Sequence, residues 1–185
     1  MRYVVDDDLS SHSDYLCHSD EETQNKQKTK KGLLRFKSRS IEEDPRLDML
    51  GKRILIVDDQ SFNRDAMKII LQSALKIDTD KLCSYASNGK EALKKVQTAT
   101  ELLGKCSFDL ILMDCNMPHM DGYEATQRIR EYLYSKGLDQ PIISAVTGHT
   151  EKMYVQRAIE SGMNQVLSKP VNHTRLRELL DKLGL

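Results

Sequence analysis

Asp58 and Asp59 follow the apolar run Ile54-Leu55-Ile56-Val57, and Asp114 follows a second apolar run over residues 108–113. Thr147 follows a third run at 142–146, and Lys169 follows Gln165-Val166-Leu167-Ser168. Three carboxylates at close range repel one another, which raises their proton affinity unless a cation lies between them. A hard divalent ion suits an all-oxygen set of carboxylates, a carbonyl and water, and Mg²⁺ is the expected occupant. In such a site Mg²⁺ keeps waters that a phosphate oxygen can displace. Lys169 would then offer fixed positive charge to an anion, and Thr147 a hydroxyl to one of its oxygens. A carboxylate beside the metal can act as nucleophile and form an acyl phosphate. Any one Asp at the end of a strand reads as an ordinary loop residue. The three acids, the hydroxyl and the ammonium together point to phosphate chemistry.

A frame must bring these residues to one rim. Residues 54–57 are short, branched and wholly apolar, as a buried parallel strand is. Residues 61–75 carry a helical stripe of Ala66, Met67, Ile70, Leu71, Ala74 and Leu75. Residues 81–86 read as a weaker strand. Asn88 can cap the next helix with Glu91 three residues on, and Ala92, Val96, Ala99 and Leu103 continue its stripe. Strand 108–113 and helix 122–136 follow, the helix with Ala125, Ile129, Tyr132 and Leu133 on one side. Strand 142–146 precedes a helix over 150–161 that Gly162 closes. Strand 165–168 and a last helix capped by Asn172, with Leu176, Leu179, Leu180 and Leu183, complete five β/α units. This alternation predicts an α/β fold, a doubly wound five-stranded parallel sheet with helices on both faces. Ligand sites in such sheets lie outside the carboxyl ends of the strands, where the five polar residues fall.

These stretches resemble the receiver domain of two-component response regulators, and they look closest to the receivers of hybrid sensor histidine kinases. The most specific run is Leu112-Met113-Asp114-Cys115-Asn116-Met117-Pro118-His119-Met120-Asp121-Gly122-Tyr123-Glu124-Ala125-Thr126, followed by Thr147, Gly162-Met163 and Leu167-Ser168-Lys169-Pro170. The resemblance implies a flavodoxin-like, receiver-type fold with Asp114 as phosphoacceptor. It implies Asp58 and Asp59 as the acidic pair at the Mg²⁺ site, with Asp114 and the main-chain carbonyl of Asn116 as further ligands. It makes Thr147 the switch hydroxyl, Lys169 the phosphate-binding lysine and Lys169–Pro170 a cis peptide candidate. The implied partner is a histidine kinase or histidine-phosphotransfer protein, and the implied function is phosphorelay signalling by Mg²⁺-dependent acceptance of a phosphoryl group. The domain would catalyse only its own phosphoryl transfer and dephosphorylation, and so is expected not to be an enzyme otherwise. Two positions depart from the family: Val166 stands where an aromatic residue is usual, and Gly148 where Ala is common. Both bear on how a signal would reach the fourth and fifth helices of the five units.

Other residues carry less. Asp65 sits on a solvated helical face. His119 and His149 read as loop histidines near the rim. Cys115 reads as a small buried filler, and Met113, Met117, Met120 and Met163 as packing residues. A receiver-fold interaction module without regulated phosphorylation is the competing reading; Val166 is its best support, while both acids, Asp114 and Lys169 are present. Aspartyl-phosphate hydrolases need D-x-D after the first strand, and here the order is Asp58-Asp59-Gln60. No Gly-rich phosphate loop follows strand one.

The first 50 residues differ from the rest. Acids crowd residues 1–22, while residues 26–39 hold Lys26, Lys28, Lys30, Lys31, Arg35, Lys37 and Arg39 with no acid. Such blocks offer too little burial to offset the entropy of ordering, so 1–50 is expected to be a disordered charged tail and 51–185 the receiver domain. Residues 26–39 suit a solvated linker, or weak contact with an anionic surface. Over the whole chain 28 Lys+Arg balance 28 Asp+Glu, so direct nucleic-acid binding is not expected. No transmembrane or secretory segment is visible, the four cysteines show no zinc or C-x-x-C spacing, and a reduced cytoplasmic setting is expected. No output or kinase nucleotide domain is expected within this sequence. Deleting residues 1–45 should leave the melting temperature and phosphorylation nearly unchanged, as calorimetry and intact mass would show. A large fall in melting temperature would mean that the tail packs on the domain.

Overall fold

The computed structural model describes Gly51 and residues 53–185; the expected tail and its basic block lie outside the described residues. The elements are β1 (Ile54–Val57), α1 (Ser61–Ile69), α2 (Thr79–Leu82), β2 (Cys83–Ala86), α3 (Gly89–Leu103), β3 (Leu110–Asp114), α4 (Gly122–Ser135), β4 (Ile142–Thr147), α5 (Lys152–Glu160), β5 (Gln165–Ser168) and α6 (His173–Lys182). All five strands pair in parallel, in the order β2-β1-β3-β4-β5. The strand order reverses between β1 and β3, whose carboxyl ends carry Asp58 and Asp114.

Alternation along each strand sorts the core into two layers. Ile54, Ile56, Leu110 and Leu112 face α1 and α6, where Met67, Leu71, Leu176 and Leu180 are buried. Leu55, Val57, Ile111 and Met113 face α3, α4 and α5, against Val96, Ile129, Leu133 and Ala158. The guanidinium of Arg53 bonds Asp109 and, at 3.2 Å, the Leu183 carbonyl, tying the starts of β1 and β3 to the end of α6.

Four boundaries differ from the sequence expectation. The weak strand at 81–86 is shortened to Cys83–Ala86, because Asp78 accepts from the Lys81 N–H and winds Thr79–Leu82 into one helical turn. β3 starts at Leu110, and Phe108 is buried in the preceding loop. The helix from Ser61 widens into a π turn over Ile70–Ala74. α5 is shorter than residues 150–161, and Gly162 (φ +97°) turns the chain after it. Asn88 caps α3 through the Glu91 N–H as expected, while the Glu91 carboxylate reaches back to Ser87 rather than to Asn88.

Candidate functional site

Parallel strands in register bring their carboxyl ends to one edge, and each candidate residue sits there. Asp58 follows β1, Asp114 ends β3, Thr147 ends β4 and Lys169 follows β5. Asp58, Asp114 and Thr147 are buried and Asp59 is half-buried. One carboxylate oxygen from each of Asp58, Asp59 and Asp114 lies within 4.8 Å of the others. Lys169 Nζ donates to Asp58 Oδ2 and to Asp114 Oδ1, both at 2.7 Å. Its backbone N–H donates to the Thr147 carbonyl at 2.8 Å, and the Lys169–Pro170 bond is cis.

The electrostatics follow from this crowding. Burial raises the Asp114 carboxyl above its usual range and the Asp58 charge adds to the rise; Lys169 opposes both without cancelling them. Burial would lower the Lys169 ammonium, but its bonds to Asp114 and Asp58 outweigh that and hold it above its ordinary value. Lys169 thus acts as the internal counter-ion of two buried carboxylates. A third acid beside them leaves excess negative charge. The oxygen-only chemistry of the three acids, gathered at one rim, fits Mg²⁺.

The surrounding contacts hold the rim. Asn116 donates its backbone N–H to Asp114 Oδ2 at 3.2 Å. Its side-chain amide lies 3.2 Å from His149 Nδ1, so His149 belongs to the rim, whereas His119 stands exposed at φ +69°. The His149 N–H donates to Thr147 Oγ1 at 3.1 Å, leaving the threonine's own hydrogen to donate elsewhere. A Cβ on Gly122 would lie 2.1 Å from the Asp114 carbonyl, so only glycine lets α4 start against the end of β3. Cys115 and the four singled-out methionines are buried in packing, as expected, and Asp65 is exposed.

Several contacts were not visible in the sequence. Asn63 Nδ2 donates to Asp58 Oδ1 at 2.9 Å, and Arg64 Nη1 to the Asp58 carbonyl at 2.6 Å. Tyr123 is buried beside Cys115, and burial with the neighbouring thiol pushes its phenol up to about 12. Arg157 of α5 lies over the Tyr123 ring, 3.9 Å from its centroid, and bonds Asp121 Oδ2 at 3.2 Å. The only signal for the first pair is position: residues five and six after Asp58 fall on the first turn of α1. The second contact joins residues 34 apart, and nothing in either stretch announces it. An apolar cleft of about 200 Å³ opens beside the site, lined by Ile56, Phe62, Met67, Leu112, Pro170 and Val171 among others. Phe62 is 79% exposed. Among the described residues no helix is long and apolar enough to cross a membrane.

Comparison with known proteins gives a consistent picture. Residues 54–181 match the family model described as the response regulator receiver domain. The hybrid signal transduction histidine kinase A of Dictyostelium discoideum is 35% identical over 133 residues, covering 72% of this chain and 6% of the kinase. The histidine kinase CKI1 of Arabidopsis thaliana is 40% identical over 141 residues, covering 71% of this chain and 12% of that protein. The chain therefore spans a small fraction of the length of these curated relatives. Among solved structures, the CKI1 receiver domain complexed with Mg²⁺ aligns at a TM-score of 0.60, with 36% identity over 72% of this chain and 92% of the other. The Saccharomyces cerevisiae co-crystal of the histidine phosphotransfer protein Ypd1 with the receiver of its downstream response regulator Ssk1 aligns at 0.59, with 29% identity over 71% of this chain and 87% of the other.

Proposed function

This chain belongs to the response regulator receiver domain family of two-component phosphorelays, and we propose that Asp114 accepts a phosphoryl group from a phosphohistidine of a partner protein in a Mg²⁺-dependent step. The observation that carries this reading is the double bond of Lys169 Nζ to Asp58 and Asp114 inside a cluster of three acids. Asp58, Asp59, Asp114 and the main-chain carbonyl of Asn116 would hold the ion, which supplies positive charge opposite the transferring phosphoryl oxygens.

The residues of the chain do the rest by position and charge. An Asp114 oxygen attacks phosphorus, an O–P bond forms, the N–P bond breaks, and its electron pair stays on the departing imidazole. Lys169, already on Asp114 Oδ1, follows the charge onto the phosphoryl oxygens. Thr147 accepts from the His149 N–H and can donate its own hydrogen to one of them. The domain supplies only its own half of the transfer and of later hydrolysis. A histidine kinase or histidine-phosphotransfer protein would carry the phosphohistidine donor. The apolar cleft and Phe62 beside the rim suit contact with such a protein. The Ypd1 co-crystal of a related receiver supports that partner class.

Incubation with acetyl phosphate and Mg²⁺ should add one phosphate by intact mass. No added phosphate would sink this reading and leave the interaction-module alternative. Asp59→Ala should remove Mg²⁺ binding and phosphate gain. The same change should leave the metal-free fold intact or stabilise it by about 1 kcal/mol, since one of three crowded charges is gone. Phosphorylation of Asp59→Ala at the wild-type rate in Mg²⁺ would mean that the site is built otherwise.

A further inference from the structure

We propose that Asn63 is a positioning residue for the metal site, fixing the rotation of the Asp58 carboxylate that would help hold Mg²⁺; the inference rests on the metal reading above. Asp58 is buried, and its two oxygens have different neighbours. Oδ1 accepts from the Gln60 N–H and from Asn63 Nδ2, each at 2.9 Å. Oδ2 accepts from Lys169 Nζ at 2.7 Å. Two donors on one oxygen and one on the other fix the rotation of the carboxylate about its Cβ–Cγ bond. Asp59 has a looser arrangement, a single amide bond at 3.0 Å from the exposed Gln60 side chain. Asp58 is therefore the firmly oriented member of the pair.

The grip comes from one turn of helix. α1 begins at Ser61 with no side-chain cap at Gln60, and its opening backbone N–H groups at Asn63 and Arg64 both turn to the Gln60 carbonyl. The side chains of the same two residues turn back to Asp58, Asn63 to the carboxylate and Arg64 to the backbone carbonyl. A neutral amide is well suited to the carboxylate contact. It donates to the oxygen without adding a cation that would compete with the metal, unlike a lysine or arginine at the same place. Groups that orient metal ligands in this way commonly change metal affinity by 10–100-fold when removed. Lys169 cannot substitute for Asn63, because it is shared with Asp114 and must follow the phosphoryl charge.

The test is Mg²⁺ titration of the full chain, followed by amide shifts and by calorimetry, for wild type, Asn63→Leu and Ser61→Ala. Asn63→Leu keeps the size of the side chain and removes the donor. It should weaken Mg²⁺ binding roughly tenfold. The rate of phosphate gain from acetyl phosphate should return to within about twofold of wild type at saturating Mg²⁺, a shift in half-saturation rather than in maximal rate. Ser61→Ala, on the same turn and exposed, should bind Mg²⁺ like wild type. Wild-type affinity in Asn63→Leu would overturn the proposal, as would a lowered maximal rate with unchanged affinity. Equal weakening in Ser61→Ala would overturn it too, because the effect would then belong to the helix turn. Failure of the wild type to bind Mg²⁺ would instead remove the metal reading and this inference with it.

Discussion

Asp114→Asn is expected to gain no phosphate from acetyl phosphate or from a phosphohistidine donor, while keeping the fold. Three carboxylates lie in the cluster, and their positions differ in a way that singles out one nucleophile. Asp58 has both oxygens engaged by three donors and is held against β1. Asp59 is half-buried and, among the described residues, bonded only to the neighbouring Gln60 side chain. Asp114 ends the central strand β3, with Lys169 on one oxygen and the Asn116 N–H on the other, both donors well placed to follow charge onto a phosphoryl group. An amide at 114 is nearly the same size and cannot form an acyl phosphate. It also lacks the charge that holds Lys169, so the lysine should stay with Asp58. Intact mass should show no added phosphate. A hydroxylamine-sensitive phosphate elsewhere in Asp114→Asn would assign the acceptor to another carboxylate.

How much of this was legible in the sequence depends on the range of the interaction. The strands were readable because β1 and β3 are unbroken runs of branched and apolar residues, as strands covered on both faces must be. The rim residues followed, since the register of a parallel sheet carries every strand end to the same edge. β2 was misjudged at its start, because Asp78 captures the Lys81 N–H and a local cap outcompeted a weak strand. Asn63 on Asp58 and Arg157 on Tyr123 were illegible for a different reason. Polar residues on a helix turn are usually solvated, and only the three-dimensional meeting of elements shows which of them are engaged. The resemblance to receivers named the five rim residues and was silent on both contacts.

Phosphorylation is expected to change the loops after β3 and β4 strongly and α5, β5 and α6 little. A phosphoryl group on Asp114 should draw the Thr147 hydroxyl toward it, a charge-assisted hydrogen bond worth about 1.5–3 kcal/mol. Along the chain that pull passes to α5 through residues 148–151. Gly148 is exposed, and a Cβ there would meet nothing within 4 Å, so the segment can absorb displacement. On β5, Val166 pairs with Ala145, is half-buried, and packs on the core layer shared by α3, α4 and α5. Its branched side chain is short, restricted at χ1 and without a polar tip, so it cannot swing between buried and exposed states as an aromatic ring does. α5 is also anchored. Arg157 stacks on Tyr123 and bonds Asp121, the residue that caps α4 through the Glu124 N–H. A partly exposed ion pair and a cation–π contact together contribute about 1–2 kcal/mol, comparable with the pull at Thr147 before any of it is lost in the loop. The anchor should therefore hold. Amide shifts of the beryllofluoride–Mg²⁺ complex against the metal-free chain should be large at residues 114–120 and 147–151 and around Lys169, and small over the rest of 155–180. In Arg157→Ala the same comparison should spread through α5, because the anchor is gone while the pull remains. Large shifts across 155–180 in the wild type would show that another side chain does the work of the missing aromatic. Confinement to the loops would mark the domain as a phosphate way-station or sink read at its rim, where the acids, Lys169 and the apolar cleft lie together.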